Sequence, residues 1–261
     1  MLDDLLIPAP LEATSWLILG IDPSMSRTGY AAMVVENDPV AGKTKASWEA
    51  IGSVKGNAAD PEWVRAKMYA EHMRGLLYQD FPGRGLIISM EFPTPDNTFL
   101  VQLNRIIHLE FFRDPSVIHY KPIRVLTINA STMRSVHGLK MRGAKNKVEN
   151  MARAYDYVGK EEYPGLDSDS CDGVLMAMIG RHAASVCMGV HDEVPDNFLN
   201  TLCSGKQEIK RKGRPTQFTV TKGLMHRPGY WYGYEPRSYE VSIKDATIPS
   251  GKRLASASYL I

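Results

Sequence analysis

Two apolar runs turn about a single carboxylate between Trp16 and Val35. Leu17 to Ile21 is a short apolar run of the kind a buried strand shows, and Tyr30 to Val35 resumes as a second. Asp22 ends the first run, and Pro23, Ser24 and Gly29 punctuate the turn between the two. A carboxylate at the exit of a fully buried strand is costly unless something pairs with it. One reading makes Asp22 an Asx-turn cap that holds its own backbone. The other gives it partners elsewhere in the chain.

The remaining pattern supplies such partners. Lys45 to Val54 reads as a third strand after the turn signals Asn37, Asp38, Pro39 and Gly42, so the first three strands form an antiparallel meander. Pro61 to Tyr78 reads as a helix, with Trp63, Met68, Met73, Leu76 and Leu77 sharing its apolar face. Leu86 to Glu91 is a fourth strand, apolar and again ending in a carboxylate. A Pro-containing loop, a helix over Phe99 to Phe112 and a fifth strand over Arg124 to Ile128 follow. Asn129 caps a short helix. A basic patch from His137 to Lys147 then opens a further helix, and a long apolar helical face runs from Asp167 to about Val190. The order is that of a mixed α/β sheet with helices on its faces.

If the fourth strand lies parallel to the first and beside it, about 4.8 Å away, Asp22 and Glu91 leave the sheet at the same end. Asp169 and Asp172 are three apart and share one helix face. Docking that helix at the strand ends gathers four carboxylates, which cannot persist together without cations. Hard oxygen ligands call for Mg²⁺ or Mn²⁺, and two such ions clamp the attacking and leaving oxygens of a phosphoryl displacement. Asp167 precedes the helix and reads as its cap, and capping is also the plainer alternative for its two neighbours.

Composition narrows the class. Of 261 residues, 44% are hydrophobic, enough for one good core and an appendage, and no apolar run of about 18 residues exists to span a membrane. The N-terminus carries acids where a signal peptide carries bases. Three widely spaced cysteines fit reduced thiols in a cytoplasm and not a disulfide frame. From Ser204 onward there are 11 Lys/Arg against 4 Asp/Glu, while the rest of the chain has 20 against 25. A basic tail on a mildly acidic body suggests a polyanion partner.

Four segments together resemble the RuvC-type Holliday-junction resolvases. Ile18 to Tyr30 resembles the family's opening motif, Ile88 to Glu91 its second acidic strand, Arg134 to Tyr155 its basic segment, and Asp169 to Ala177 its terminal Asp-x-x-Asp helix. The resemblance covers about residues 15–190. It implies an RNase H-like fold: a mixed five-stranded sheet of three antiparallel strands and then two parallel ones, flanked by helices. It also implies a homodimer that cuts four-way DNA junctions in recombination and repair, with two Mg²⁺ per site. Asp22, Glu91, Asp169 and Asp172 would be catalytic ligands, Lys140, Arg142, Lys145 and Lys147 would hold phosphates, and Phe92 would wedge into the junction. No membrane and no nucleotide cofactor are expected. Ser24 departs from the usual Asp-Pro-Gly, and the chain is longer than bacterial members by its basic tail, which points to a bacteriophage or mobile-element protein.

The division expected is a flexible arm over residues 1–14, the nuclease domain over 15–190 and a basic extension over 191–261. In the extension, Lys210, Arg211, Lys212 and Arg214 either follow phosphates or belong to a solvated linker. Phe218 to Thr221 alternates like a strand, and the aromatics of Tyr230 to Tyr234 suit base stacking, a small β-core or a dimer seam. Competing functions are a broader branched-DNA nuclease and a non-catalytic junction scaffold. An ATPase of the actin and sugar-kinase group shares the strand order but would need a second Gly-rich phosphate hairpin, which the sequence lacks.

Overall fold

A computed structural model describes residues 13–77, 84–92, 98–112, 120, 122–139, 146–203, 205–209, 217–221, 224–226 and 231–234. Strands β1 (Ser15–Asp22), β2 (Arg27–Asp38) and β3 (Lys43–Lys55) form the expected meander. Its second turn is closed by Asp38, whose Oδ1 accepts from the backbone of Val40 and Ala41 at 3.1 Å each. Helix α1 (Glu62–Gly75) leads to β4 (Gly85–Glu91), and α2 (Thr98–Phe112) leads to β5 (Ile123–Ile128). Helices α3 (Ala130–Val136), α4 (Asn146–Val158), α5 (Ser168–Cys187) and α6 (Asp196–Leu202) follow. The short strands β6 (Gly205–Ile209), β7 (Gln217–Thr221) and β8 (Trp231–Tyr234) come last.

The main sheet has the order β3-β2-β1-β4-β5-β8. β1 pairs antiparallel with β2 and parallel with β4, and β4 pairs parallel with β5. The first five strands are therefore the RNase H-like mixed sheet that the motif order implies. A sixth strand extends it: β8 pairs antiparallel with β5, Ile123 opposite Tyr234 and Leu126 opposite Trp231. Of the three readings of the aromatic segment, base stacking, a small β-core or a dimer seam, the observed strand is nearest to the β-core, and it closes the β5 edge through its backbone. β6 and β7 make a separate two-stranded ribbon.

Strand parity sorts the core into two layers. In β1, Trp16 and Ile18 face one layer with α5, while Leu17, Leu19 and Ile21 face the other with α1 and α2. In β4 the alternation continues, with Ile87 on the α5 side and Leu86, Ile88 and Met90 opposite. β1 is buried on both faces, which is why it reads as a continuous apolar run rather than an alternating one. Helix α5 is sheathed in the same way, with Val174, Leu175, Met176 and Ile179 each at 0% exposure. Burial of each such side chain contributes roughly 2 kcal/mol.

The face of α1 differs from the expectation. Its buried residues are Arg65, Ala66, Tyr69, Ala70 and Met73, whereas Trp63 is 61% exposed. Of the expected face, Met73 and Leu77 are buried and Met68 and Leu76 pack partly against the same core, so Trp63 alone leaves it, while Arg65, Ala66, Tyr69 and Ala70 complete the buried stripe. Residues 191–203 also join the α5-side core. Phe198, Leu199 and Leu202 are buried there, and Glu193 Oε2 accepts from the Thr44 amide and hydroxyl at 2.7 Å each. Near the N-terminus, Ala13 is buried and the Thr14 carbonyl accepts from the Asn37 amide at 2.9 Å.

Candidate active site

Parity also places the acids. Asp22 follows Trp16, Ile18 and Gly20 on the α5 face, and Glu91 follows Ile87 and Ser89 on the same face. Ile21 sits opposite Met90 in the parallel pair, so the next step brings Asp22 beside Glu91 at one sheet end. The two carboxyls share a hydrogen bond. Burial raises Asp22 well above the usual carboxylate range, and the neighbouring Glu91 and Asp169 charges add to the rise. Glu91 is raised too, chiefly by burial, while its bond from Asp22 opposes the shift. The pair as a whole therefore resists full ionisation. The carboxyl neighbouring Asp22 stands on the adjacent strand β4.

Helix α5 brings the other two. It can come close only because glycines line the contact. A Cβ on Gly29 would lie 1.8 Å from the Asp169 carbonyl oxygen, and one on Gly20 would lie 2.2 Å from the Ala177 nitrogen. On the helix side, a Cβ on Gly173 would meet the Tyr30 backbone at 2.7 Å. This backbone-on-backbone seam sets the first turn of α5 against the β1–β2 turn. Asp172 is pushed up to about 7, by burial first and then by the Asp22 charge. Asn150 on α4 opposes this by donating from Nδ2 to Asp172 Oδ1 at 2.6 Å. Asp169 is raised by burial and by Asp167, and Lys147 and Arg27 pull it back.

Asp167 is the cap it was expected to be. Its Oδ1 accepts from the Ser170 amide at 2.8 Å and the Ser170 hydroxyl at 2.6 Å. Its Oδ2 accepts from Arg27 Nη1 at 2.6 Å and Ser53 Oγ at 2.7 Å. Burial pushes this carboxyl up, but the bonds from Ser170, Ser53 and Arg27 outweigh it and hold the group at about 2. The cap thereby ties α5 to β2 and β3 beside the acids.

Arg134 is a participant that the residue pattern did not single out. It stands in the last turn of α3, at the sheet end where β5 exits. Its charge lowers Asp22, Glu91 and Asp172 together, and its Nε is buried without a hydrogen-bond partner. Asn150 was equally unmarked, as a polar residue inside a helix. Asn104 of α2 adds a hold on the second strand, donating from Nδ2 to the Glu91 carbonyl at 3.1 Å. The sequence signals for Arg134 were its place six residues after the end of β5, whose parallel neighbour β4 ends in Glu91, and at the head of the basic segment.

The nucleic-acid contacts are only partly in view. Lys147 is exposed in the first turn of α4, near Asp169. Phe92 is half-buried, and its amide donates to the Ile128 carbonyl at 2.7 Å, continuing the β4–β5 pairing. Lys140, Arg142, Lys145, Lys210, Arg211, Lys212 and Arg214 lie outside the described residues. Cys171, Cys187 and Cys203 are buried free thiols. Among the described residues no helix is long and apolar enough to cross a membrane.

The four acids suit a divalent cation by type, being an all-oxygen set in which burial first and neighbouring acids second raise every member. Among the described residues no three of them meet at ligating geometry, so the expected gathering of four is incomplete. Asp22 and Glu91 are hydrogen-bonded, Asp172 faces them, and Asp169 stands further out towards Lys147 and Arg27.

No protein-family model matches the chain, and no curated protein does. Among the solved structures similar to it are three described as resolvases or as RuvC. Thermus thermophilus RuvC is 16% identical, with a TM-score of 0.45 over 67% of this chain and 97% of that one. T. thermophilus RuvC in complex with Holliday junction substrate is 17% identical, with a TM-score of 0.45 over 67% and 96%. The yeast mitochondrial Holliday junction resolvase Ydc2 is 12% identical, with a TM-score of 0.37 over 74% and 85%.

Proposed function

We propose that the chain is a structure-selective DNA endonuclease that resolves four-way junctions by metal-dependent phosphodiester hydrolysis. The observation that carries this reading is geometric: Asp22 and Glu91 end adjacent parallel strands on the face that α5 covers, and Asp172 of α5 is held beside them by Asn150. A protein that only bound DNA would gain nothing from placing three mutually repelling acids where a phosphate must approach. The motif resemblance adds the substrate class.

Asp22, Glu91, Asp169 and Asp172 would hold the cations. Bound Mg²⁺ or Mn²⁺ supplies water activation and charge neutralisation at the scissile phosphate. The chain's own residues do the rest. Asp22, raised by burial and by its acid neighbours, is the carboxylate whose ionised form a bound cation would stabilise most. Asn150 fixes the Asp172 oxygen by its 2.6 Å bond, leaving the second oxygen free to ligate. Arg134 brings a positive charge to the same acids and is placed to steady the phosphate as charge builds on it. Lys147, with Lys140, Arg142 and Lys145, would track the backbone, and Lys210, Arg211, Lys212 and Arg214 would extend that grip. Phe92, at the end of β4, is the aromatic nearest the acids in sequence and would stack on a junction base. A homodimer would nick opposed strands symmetrically and leave 5′-phosphate and 3′-hydroxyl ends.

The test is cleavage of a labelled immobile four-way junction in Mg²⁺, beside duplex, fork and single-strand controls, with Asp22→Asn as the blank. Paired symmetric nicks that ligate, absent in the blank, support a resolvase. Equal cutting of forks and flaps would replace it with a broader branched-DNA nuclease. Tight junction binding without cutting in Mg²⁺ or Mn²⁺ would overturn the catalytic reading.

A further inference from the structure

The turn that follows Asp22 is held from the side of the sheet opposite α5. Asp169 and Asp172 approach from one face, whereas Arg65 and Tyr69 of α1 belong to the other layer. Arg65 Nη1 donates to the Met25 carbonyl at 2.7 Å, and the Tyr69 hydroxyl donates to the same oxygen at 3.3 Å. One residue later, the Ser26 carbonyl accepts from the Gly56 amide at 3.0 Å. Gly56 is glycine for a reason: a Cβ there would lie 2.4 Å from the Tyr69 hydroxyl and 2.8 Å from Arg65 Cδ. The end of β3 thus lies directly against the two side chains that grip the turn.

Arg65 is an expensive way to hold a loop. It is 8% exposed, its Nε is buried without a partner, and no described carboxylate is bridged to it. A buried guanidinium with unmet donors is destabilising by itself, and apolar residues would pack as well. What the cation adds is a charge-assisted bond, roughly twice as strong as a neutral one, to one backbone oxygen three residues after Asp22.

We propose that Arg65 and Tyr69 are positioning residues for Asp22: they clamp the Pro23–Ser26 turn through the Met25 carbonyl and so fix where β1 ends and where its carboxylate points. The assignment of Asp22 as the central ligand rests on the nuclease reading. The clamp itself does not.

The test uses the full chain with Tyr69→Phe, Arg65→Met and Arg65→Lys. Met73→Ala is the stability control, buried on the same helix but not touching the turn. Three quantities are read: hydrogen exchange at the Gly56 amide, Mn²⁺ affinity by calorimetry, and junction cleavage resolved into kcat and KM. Loss of one such bond speeds Gly56 exchange by about tenfold in Tyr69→Phe and Arg65→Met. Mn²⁺ binding weakens and kcat falls by a similar factor with KM unchanged, and Arg65→Lys recovers part of each. Met73→Ala lowers the melting temperature without these local effects. If Gly56 exchange in Tyr69→Phe and Arg65→Met only matches Met73→Ala at equal stability, the clamp is overturned. If wild type neither binds Mn²⁺ nor cuts while Gly56 exchange still responds, the clamp stands and the nuclease reading falls.

Discussion

Asn150 Nδ2 donates to Asp172 Oδ1 at 2.6 Å, joining α4 to the first turn of α5 at the acid cluster. Asn150 is 2% exposed, so this bond is made out of water. It lowers a carboxylate that burial and Asp22 push up, and with the bond in place the group still stands at about 7. Without it, the ionised form of Asp172 loses its nearest donor. In Asn150→Leu the Asp172 titration moves further up, and carboxyl ¹³C NMR of the metal-free protein reads the shift.

The same group sets a pH dependence whose sign is the reverse of the usual acid case. An ordinary aspartate titrates at 3.8, and Asp172 in the fold at about 7. Between those values the native state binds the extra proton, so stability is highest below about 4 and is lost as pH rises through about 7. Asp172→Asn removes that loss. At pH 8 in metal-free buffer the variant melts higher than wild type by about 5 °C, and below pH 4 the gap closes. Differential scanning calorimetry across pH decides it.

Divalent cations should act on the fold as well as on the reaction. An ion that binds only the folded acids stabilises by about 2.7 kcal/mol at a hundredfold its Kd. Wild type should therefore melt higher in Mn²⁺ or Mg²⁺ than in EDTA. Asp22→Asn should lose most of that gain, because it removes the acid at the centre of the cluster. A thermal shift that is equal in both proteins would argue against a metal at this place.

The seam between α5 and the sheet has almost no tolerance. Gly29→Ala puts a methyl where the Asp169 carbonyl oxygen lies 1.8 Å away. Neither partner is a flexible side chain, so the helix must move, at a cost of about 3 kcal/mol or more. Gly75→Ala at the end of α1 meets nothing within 4 Å and should stabilise by about 0.5–1 kcal/mol. Urea midpoints of the two variants should move in opposite directions.

Asp167 should behave as an ordinary acid-labile cap. Burial raises it, but Ser170, Ser53 and Arg27 bring it to about 2, below the ordinary 3.8. Its contribution is thus present above about 4 and is lost as pH falls towards 2. Asp167→Ala costs about 1 kcal/mol at neutral pH, as loss of a helix cap does. The difference from wild type shrinks in acid, read as ΔΔG of urea unfolding at pH 7 and pH 3.

Much of this architecture was legible where local pattern and burial agree. The apolar runs before Asp22 and Glu91 marked two buried strands, and parity alone then sends both acids to one face. The three-residue spacing of Asp169 and Asp172 and the capping role of Asp167 are also local facts. What stayed hidden depends on distant parts of the chain. Trp63 looked like a core residue, but the α1 interface is built on Ala66, Tyr69 and Ala70, so the larger ring was left outside. Arg65 carries no mark in the sequence, and only the fold shows its grip on Met25. Arg134 and Asn150 gain their meaning from acids dozens of residues away. β8 is four residues long and pairs with a strand more than a hundred residues earlier, a distance over which no periodicity speaks.

That last strand bears on how the protein can be handled. Until Trp231–Tyr234 is in place, the outer backbone of β5 is an open row of donors and acceptors next to an apolar core. A chain shortened to the end of α5 would keep all four acids and yet become adhesive along β5. Its failure to stay dispersed would say nothing about its chemistry, and a nascent chain on the ribosome passes through the same sticky interval before β8 emerges.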